Sequence, residues 1–277
     1  MNEDSSLTRV STVSSYSERG SQAYEDPMNK NFLYGQITVD FIHQINFPDD
    51  VSTILDIGCG TGFIFDEIFG QMKTRGMQGV GIEPAEGMLR IAMDKYKDEG
   101  SLKFQTGSFE DIPLEDKSVD KIVSTLALHW VKSLKVAAEE MRRVLKVTGS
   151  LDILMIGKDD GATFKKCIVE AQKKHLTFAQ IMKTAVLVQR VNEKQLYEAF
   201  EPFHGDFDIK LQRFDDIVYG TFEEHMKWWK ARSAPVIADV ENKELFMQDL
   251  ETELNKITAD KGIPFDTSYY WITVTSS

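Results

Sequence analysis

Nine residues restrict the fold of this chain more than any others: Ile54-Leu55-Asp56-Ile57-Gly58-Cys59-Gly60-Thr61-Gly62. They open on apolar, β-branched residues, the mark of a buried strand, and end in glycines at alternate positions. Phe65, Ile68, Phe69 and Met72 then recur at helical spacing. Strand, glycine turn and helix make the first half of a βαβ unit. So tight a turn needs residues without a Cβ, both to reach unusual backbone angles and to let a ligand touch the main chain. The plain alternative is a glycine-rich turn that binds nothing.

Two neighbours favour the ligand. A second apolar strand, Gly79-Val80-Gly81-Ile82, ends in Glu83, about 20 residues past the glycines, where nucleotide-binding α/β proteins place a carboxylate for ribose hydroxyls. The glycine spacing is G-x-G-x-G, not the G-x-G-x-x-G of dinucleotide binders. Asp56 stands two residues before the first glycine. An acid there favours a cationic ligand and disfavours a pyrophosphate.

Asp56-x-Gly58-x-Gly60-x-Gly62 with Glu83 resembles the cofactor site of class I S-adenosylmethionine-dependent methyltransferases. Gly107-Ser108-Phe109-Glu110-Asp111-Ile112-Pro113-Leu114 resembles that family's G-D-A-E-D-L-P-F segment. Asp120-Lys121-Ile122-Val123-Ser124 resembles its fourth strand, and Arg142–Leu151 its R-V-L-K-P-G-G-x-L run. The resemblance covers residues 35 to 157 and points to the type 11 small-molecule subgroup. Leu128-His129-Trp130 is also similar to carboxylate methyltransferases such as those of trans-aconitate and juvenile hormone acid.

Read in order, the chain alternates strands and helices. A helical pattern over Phe32–Phe47 precedes strand 1, and strands follow at residues 79–83, 102–105, 119–125 and 151–156. Pro84 can open a helix, continued by Met88, Leu89, Ala92 and Tyr96. The pattern predicts a doubly wound parallel α/β sheet. Past it, helices are expected over 161–189, 192–200 (capped by Asn192), 221–232 and 243–261. Strands are expected over 207–215 and 269–275. The resemblance makes the last two strands 6 and 7 of a seven-stranded Rossmann-like sheet, with strand 7 antiparallel. The expected organisation is a tail over 1–30 that folds over the cofactor, a cofactor-binding core over 31–157, and residues 158–277 supplying strands 6 and 7 with an inserted helical cap for the substrate. The tail carries Tyr16 and Tyr24, which contact substrate on this reading and are exposed on the plain one.

The 277 residues carry a net charge of −12 and are 42% hydrophobic. The apolar content suffices for a full core. The charge opposes binding to nucleic acid, where Lys and Arg contacts to phosphate dominate. The two cysteines, Cys59 and Cys167, have no metal-site spacing, and no metal is expected. A disulfide at Cys59 would obstruct the glycine turn, so free thiols and a reducing compartment are expected. No signal-peptide core and no run near the ~20 residues of a membrane span appear. The expectation is a cytoplasmic monomer or homodimer with a small-molecule partner.

The resemblance assigns Gly58, Cys59, Gly60, Gly62, Glu83, Pro84, Met88, Ser108, Phe109 and Leu126 to S-adenosylmethionine, leaving S-adenosylhomocysteine as product. Asp56 either holds the turn through backbone amides or faces the sulfonium end indirectly. Met88 either touches adenine or is helix core. Ser108 replaces the family's usual acid and so makes a weaker hydrogen bond to adenine. Val147-Thr148 replaces a Pro-Gly, a change of turn geometry remote from the chemistry. His129, after strand 4, is a general base, a donor to substrate, or a packed histidine, with Trp130 beside it. Trp228 and Trp229, with Phe222 and Met226, either wall an apolar substrate pocket or split between core and surface. The expected activity is methyl transfer to an O or N nucleophile of a largely apolar small molecule. The alternative is a non-catalytic, S-adenosylmethionine-binding regulatory protein on the same fold.

Overall fold

A computed structural model of the chain describes residues 31–185, 190–232 and 237–277. Tyr16, Tyr24 and the expected tail over 1–30 lie outside the described residues. The chain divides into two units. One holds Ile37–Gly157, Gln189–Arg213 and Tyr269–Ser277. The other holds residues 31–36 with the described parts of Lys158–Val188 and Phe214–Ser268.

The first unit holds the sheet, except residues 214–220 of its sixth strand and 263–268 of its seventh, which fall in the other unit. Strands β1 (Thr53–Ile57), β2 (Gln78–Ile82), β3 (Leu102–Gln105), β4 (Val119–Thr125), β5 (Leu145–Ile156), β6 (Phe207–Gly220) and β7 (Ile263–Ser276) stand in the order β3-β2-β1-β4-β5-β7-β6. Neighbours from β3 to β5 are parallel. β7 runs antiparallel to β5, with Ser150 opposite Thr275 and Ile156 opposite Tyr269. The doubly wound, seven-stranded expectation is met, antiparallel strand included.

Both faces of this sheet are buried, as parallel strands require. Leu55 and Ile57 turn to one side, where helix α4 (Leu134–Val144) supplies Leu134, Ala137, Ala138, Met141 and Val144. Helix α7 (Glu193–Ala199) adds Leu196 to that core. Ile54 turns to the other side, against Phe41 and Ile42 of α1 (Tyr34–Gln44) and Ile64, Phe65 and Ile68 of α2 (Phe63–Arg75). Helix α3 (Glu86–Lys95) follows β2. A charged pair is sealed among these strands. Lys121, 2% exposed, donates to Asp152 at 2.5 Å and to Ser150 Oγ at 3.0 Å. Asp152 also accepts from Trp271 Nε1 at 2.6 Å and Thr273 Oγ1 at 3.0 Å.

Several boundaries differ from the sequence expectation. β5 begins at Leu145, not Leu151, because Val119 pairs with Leu145 while Lys121 pairs with Ser150. Residues 146–149, read as a turn, are therefore a bulge within the strand. α3 starts at Glu86, two residues beyond Pro84, with Ala85 as its cap. β6 and β7 both outrun the 207–215 and 269–275 expected. The extension of β7 starts after Gly262, whose φ of 115° no side chain favours and whose Cβ would lie 2.7 Å from the Gly220 carbonyl oxygen. Pro264 is tolerated because it sits at the beginning of its strand.

The second unit is mainly helical. The stretch expected as one helix from 161 forms α5 (Ala162–Gln172) and α6 (Phe178–Ala185), and residues 186–189 lie outside the described residues. The break follows from Thr177, whose N–H and hydroxyl both bond Gln180 Oε1 at 2.8 Å and start a new helix. Helix α8 (Phe222–Arg232) is capped by Thr221 through Glu224. Helix α9 (Lys243–Asn255) ends before the expected 261, where Ala259 and Gly262 pair across a turn. Phe265 centres the core, its ring 5.2 Å from Phe164, 5.3 Å from Trp228 and 6.2 Å from Tyr34. His225 is fully buried between Phe32 and Phe164, at 5.2 and 5.1 Å. Its Nε2 donates to the Ile263 carbonyl at 2.9 Å.

Two expectations follow. Asp152→Ala leaves the Lys121 ammonium buried without its counter-charge, and urea unfolding should show a loss of about 3–5 kcal/mol. Burial holds the His225 imidazole below its ordinary range. The unfolded chain therefore takes up a proton first as pH falls below about 6.5. Stability from this group is complete above that pH and declines below it, until the folded histidine also protonates. His225→Gln should flatten that limb of a plot of urea midpoint against pH.

Candidate functional site

The site is assembled at the carboxyl ends of β1, β2 and β4. Gly58, Gly60 and Gly62 all adopt left-handed backbone, with φ of 72°, 54° and 88°. Their surroundings differ. A Cβ on Gly58 would lie 2.4 Å from the Ala127 Cβ, and one on Gly62 would lie 3.0 Å from Tyr96. A Cβ on Gly60 would meet nothing within 4 Å. The first and third glycines are thus required by packing, and the middle one stands against open space where a ligand can reach the main chain.

Glu83 fixes this loop. Its Oε2 accepts the Gly60 N–H at 3.0 Å and its Oε1 accepts the Ala85 N–H at 2.9 Å, at the start of α3. Burial pushes its carboxyl up, against the pull of these two amides. An ionised carboxylate has about four lone-pair sites, so each oxygen keeps capacity for a hydroxyl donor.

Asp56 does the opposite of one of its two expected roles: it bonds no backbone amide. It is 1% exposed, and among the described residues neither carboxylate oxygen has a hydrogen-bond partner. Burial first, and Glu83 second, push its carboxyl well above the carboxylate range. Holding the turn through amides is the work of Glu83. Cys59, also buried, has its thiol raised by burial and by both acids.

The segment Gly107–Leu114 forms the flank. Ser108 and Asp111 exchange backbone hydrogen bonds at 3.1 and 3.3 Å, and the Ser108 hydroxyl accepts the Glu110 N–H at 3.3 Å. Phe109 is 5% exposed and comes within 3.9 Å of a Cβ placed on Gly58. The Arg143 guanidinium of α4 donates to the Ile112 and Leu114 carbonyls, both at 2.8 Å, and Glu140 accepts the Ile112 N–H at 3.1 Å. Arg143 in turn holds the Glu140 carboxyl low. Sequence reading missed Ala85, Ala127, Glu140 and Arg143. The first two act through backbone or bare Cβ and leave no pattern. The pair does leave one, an acid and an arginine three residues apart on the polar face of a helix.

The other predicted residues are placed as follows. Met88 is 4% exposed on α3. Pro84 is exposed. Leu126 has φ of 53°, rare for a branched side chain, and its N–H donates to the Leu154 carbonyl at 2.8 Å. This holds the turn into a short 3-10 helix, Leu128–Trp130, where His129 is 5% exposed with its ring 5.3 Å from Trp130. Trp228 and Trp229 belong to the helical unit and are both buried, at 8% and 6%. The expectation that one of them lies on the surface fails, because Phe265 and Phe246 each take one indole into the core. Among the described residues no cluster of three His, Cys, Asp or Glu could hold a metal ion.

The arrangement suits a ligand that brings hydroxyl donors to Glu83, a positive charge to Asp56 and a close approach to Gly60. Residues 55–153 match the methyltransferase domain family. This match agrees with the resemblance of the sequence to class I S-adenosylmethionine-dependent methyltransferases. The chain is 32% identical to a malonyl-[acyl-carrier protein] O-methyltransferase of Methylococcus capsulatus over 105 residues, 38% of each chain. It is 29% identical to an uncharacterized methyltransferase of Mycobacterium tuberculosis over 157 residues, 57% of this chain and 55% of that one. The chain spans between 20% and 55% of the length of the first curated relatives it matches. Among solved structures it is similar to phosphoethanolamine N-methyltransferase 2 of Haemonchus contortus in complex with S-adenosyl-L-methionine. There the TM-score is 0.61 at 17% identity, covering 95% of this chain and 58% of that one, a likeness of fold.

The glycines give a direct expectation. Gly58→Ala should unfold at markedly lower urea than Gly60→Ala, since only the first drives a Cβ into another side chain. Gly60→Ala should keep the fold at a cost of about 1–2 kcal/mol for its left-handed backbone.

Proposed function

We propose that this chain binds S-adenosylmethionine and transfers its methyl group to an O or N nucleophile of a small, largely apolar molecule. The observation that carries the proposal is the pair of acids at the open glycine loop, Glu83 held by two amides and Asp56 with no hydrogen-bond partner among the described residues. The family match supports the cofactor. The names of two relatives support the nucleophile, one an O-methyltransferase and one an N-methyltransferase. A cytoplasmic setting is proposed on the free thiols of Cys59 and Cys167. Among the described residues no helix is long and apolar enough to cross a membrane.

In this reading Glu83 accepts from the ribose hydroxyls, Asp56 faces the positive end of the cofactor, and the loop backbone at Gly60 lies against it. Ser108, Phe109 and Met88 surround the adenine. The Ser108 hydroxyl accepts the Glu110 N–H and keeps a second lone pair for the adenine amine, and Phe109 contributes contact area. The cofactor supplies a methyl group already activated on sulfur, transferred by in-line displacement. The chain's own work is then positioning and exclusion of water. His129 takes a proton from the acceptor when the nucleophile carries one, or orients a carboxylate, which needs no base. Trp130 lies beside it. Acceptor selection is assigned to the helical unit with Trp228 and Trp229, on the order of the chain, which inserts its helices between β5 and β7.

Calorimetry with S-adenosylmethionine tests the cofactor. Glu83→Ala should weaken binding about tenfold or more, since each charged hydrogen bond is worth about 1.5–3 kcal/mol. Glu83→Gln, which can still accept an amide, should lose less, and unchanged affinity in both would remove Glu83 from the site. A screen of acids, amines and phenols with methyl-labelled cofactor tests transfer. With an accepted substrate, His129→Ala should lower turnover by about 10²–10⁴ if the histidine is a base, with cofactor affinity kept. Wild-type turnover and affinity in that variant would make His129 a packing residue.

A further inference from the structure

Among the described residues, Asp56 is the acid of the site left without a hydrogen-bond donor. It is the last residue but one of β1, just before the glycine loop, 1% exposed, with both oxygens shut from solvent and no hydrogen-bond donor among the described residues. The groups that face it offer no compensation. β2 brings Glu83, of the same sign, and the loop brings the neutral Cys59 thiol. β4 sets Val123 in register with it. On that side of the sheet α1 and α2 turn in Phe41, Ile42, Ile64, Phe65 and Ile68, all apolar. A lone carboxylate in such surroundings escapes the cost of an unpaired buried charge by keeping its proton.

We infer that Asp56 carries a proton in the free protein and releases it to solvent when a positively charged part of the cofactor is seated beside it. The inference rests on the proposed cofactor reading and deepens it. The exchange balances simply. The O–H bond of the carboxylic acid breaks, the proton leaves to the buffer, and the electron pair stays on the carboxylate. That carboxylate then faces the ligand's cation, and no covalent bond to the ligand forms. The direction in which burial and Glu83 move this carboxyl agrees. Asp56 is thereby a specificity-determining residue: it admits a cationic ligand by exchanging one positive charge for another and gains nothing from a neutral one.

The cation has two possible sources, the sulfonium and the amino group of the methionyl end. The test is calorimetry on the intact chain at pH 7 in two buffers of different ionisation heat. The probes are S-adenosylmethionine, S-adenosylhomocysteine, which keeps only the amino group, and 5′-methylthioadenosine, which has neither cation. About one proton should be released per S-adenosylmethionine bound, with affinity rising up to about tenfold per pH unit while Asp56 holds its proton. None should be released with 5′-methylthioadenosine. Release with S-adenosylhomocysteine as well assigns the amino group, and release with S-adenosylmethionine alone assigns the sulfonium. Asp56→Asn should abolish the release and flatten the pH dependence. The ligand comparison uses wild-type protein and stands even if that variant does not fold. Binding of S-adenosylmethionine without proton release, equal release with the neutral probe, or full release in Asp56→Asn would overturn the inference. Absence of binding by all three probes would instead overturn the cofactor reading on which it rests.

Discussion

Two backbone amides meet one carboxylate at the end of β2, and the local architecture depends on that meeting. Glu83 ties the middle of the glycine loop to the first turn of α3 through Gly60 N–H and Ala85 N–H. Three left-handed residues in a row of five would leave a loop free to rearrange. The carboxylate removes that freedom while asking for no side chain from the loop, so the main chain at Gly60 stays bare. Charged acceptors make the stronger hydrogen bonds to amides, and here one such acceptor serves two elements at once. The middle of the loop and the helix start are joined by a single side chain, while the Ile82 carbonyl accepts the Gly58 and Cys59 N–H groups at 2.9 and 3.0 Å.

A second set of charges supports the flank. Arg143 and Glu140 bind the backbone of Ile112 and Leu114, and Glu110 accepts the Ser133 N–H at 2.7 Å where α4 begins. The segment is thus fastened to the helix on one side, with the Phe109 ring 3.9 Å from where a Cβ on Gly58 would stand. These are side chain to main chain bonds, which give orientation without depending on the residues of the loop. That is how Ser108 can stand where the family has an acid without disturbing the segment's path.

The sheet was legible in the sequence because each of its first four strands is short, apolar and bounded by a turn. Glu83 and the three glycines were legible because their spacing has few other uses. What escaped was whatever depends on an opposite partner. The early start of β5 at Leu145 is a matter of pairing with Val119, and residues 146–149 look like a turn until that partner is in place. β6 runs past the expected Asp215 to Gly220, through Asp216, an acid that gives no strand signal of its own. The two possible roles of Asp56 could not be separated by spacing, since they differ only in whether an amide lies nearby. Both tryptophans of α8 proved buried because Phe246 and Phe265 arrive from elsewhere in the chain.

The strand order has a consequence for synthesis. β7 comes last among the seven strands along the chain yet stands between β5 and β6. β6 therefore leaves the ribosome before β7, its neighbour in the sheet among the described residues, and it waits while α8 and α9 are made. During that interval β5 also lacks its outer neighbour, so two hydrogen-bonding edges are open together. Edges of this kind invite pairing with other chains, and sheets closed by distant segments form slowly. β6 carries Asp208, Lys210, Arg213, Asp215 and Asp216 along its length, and charges on an open edge oppose pairing with other chains.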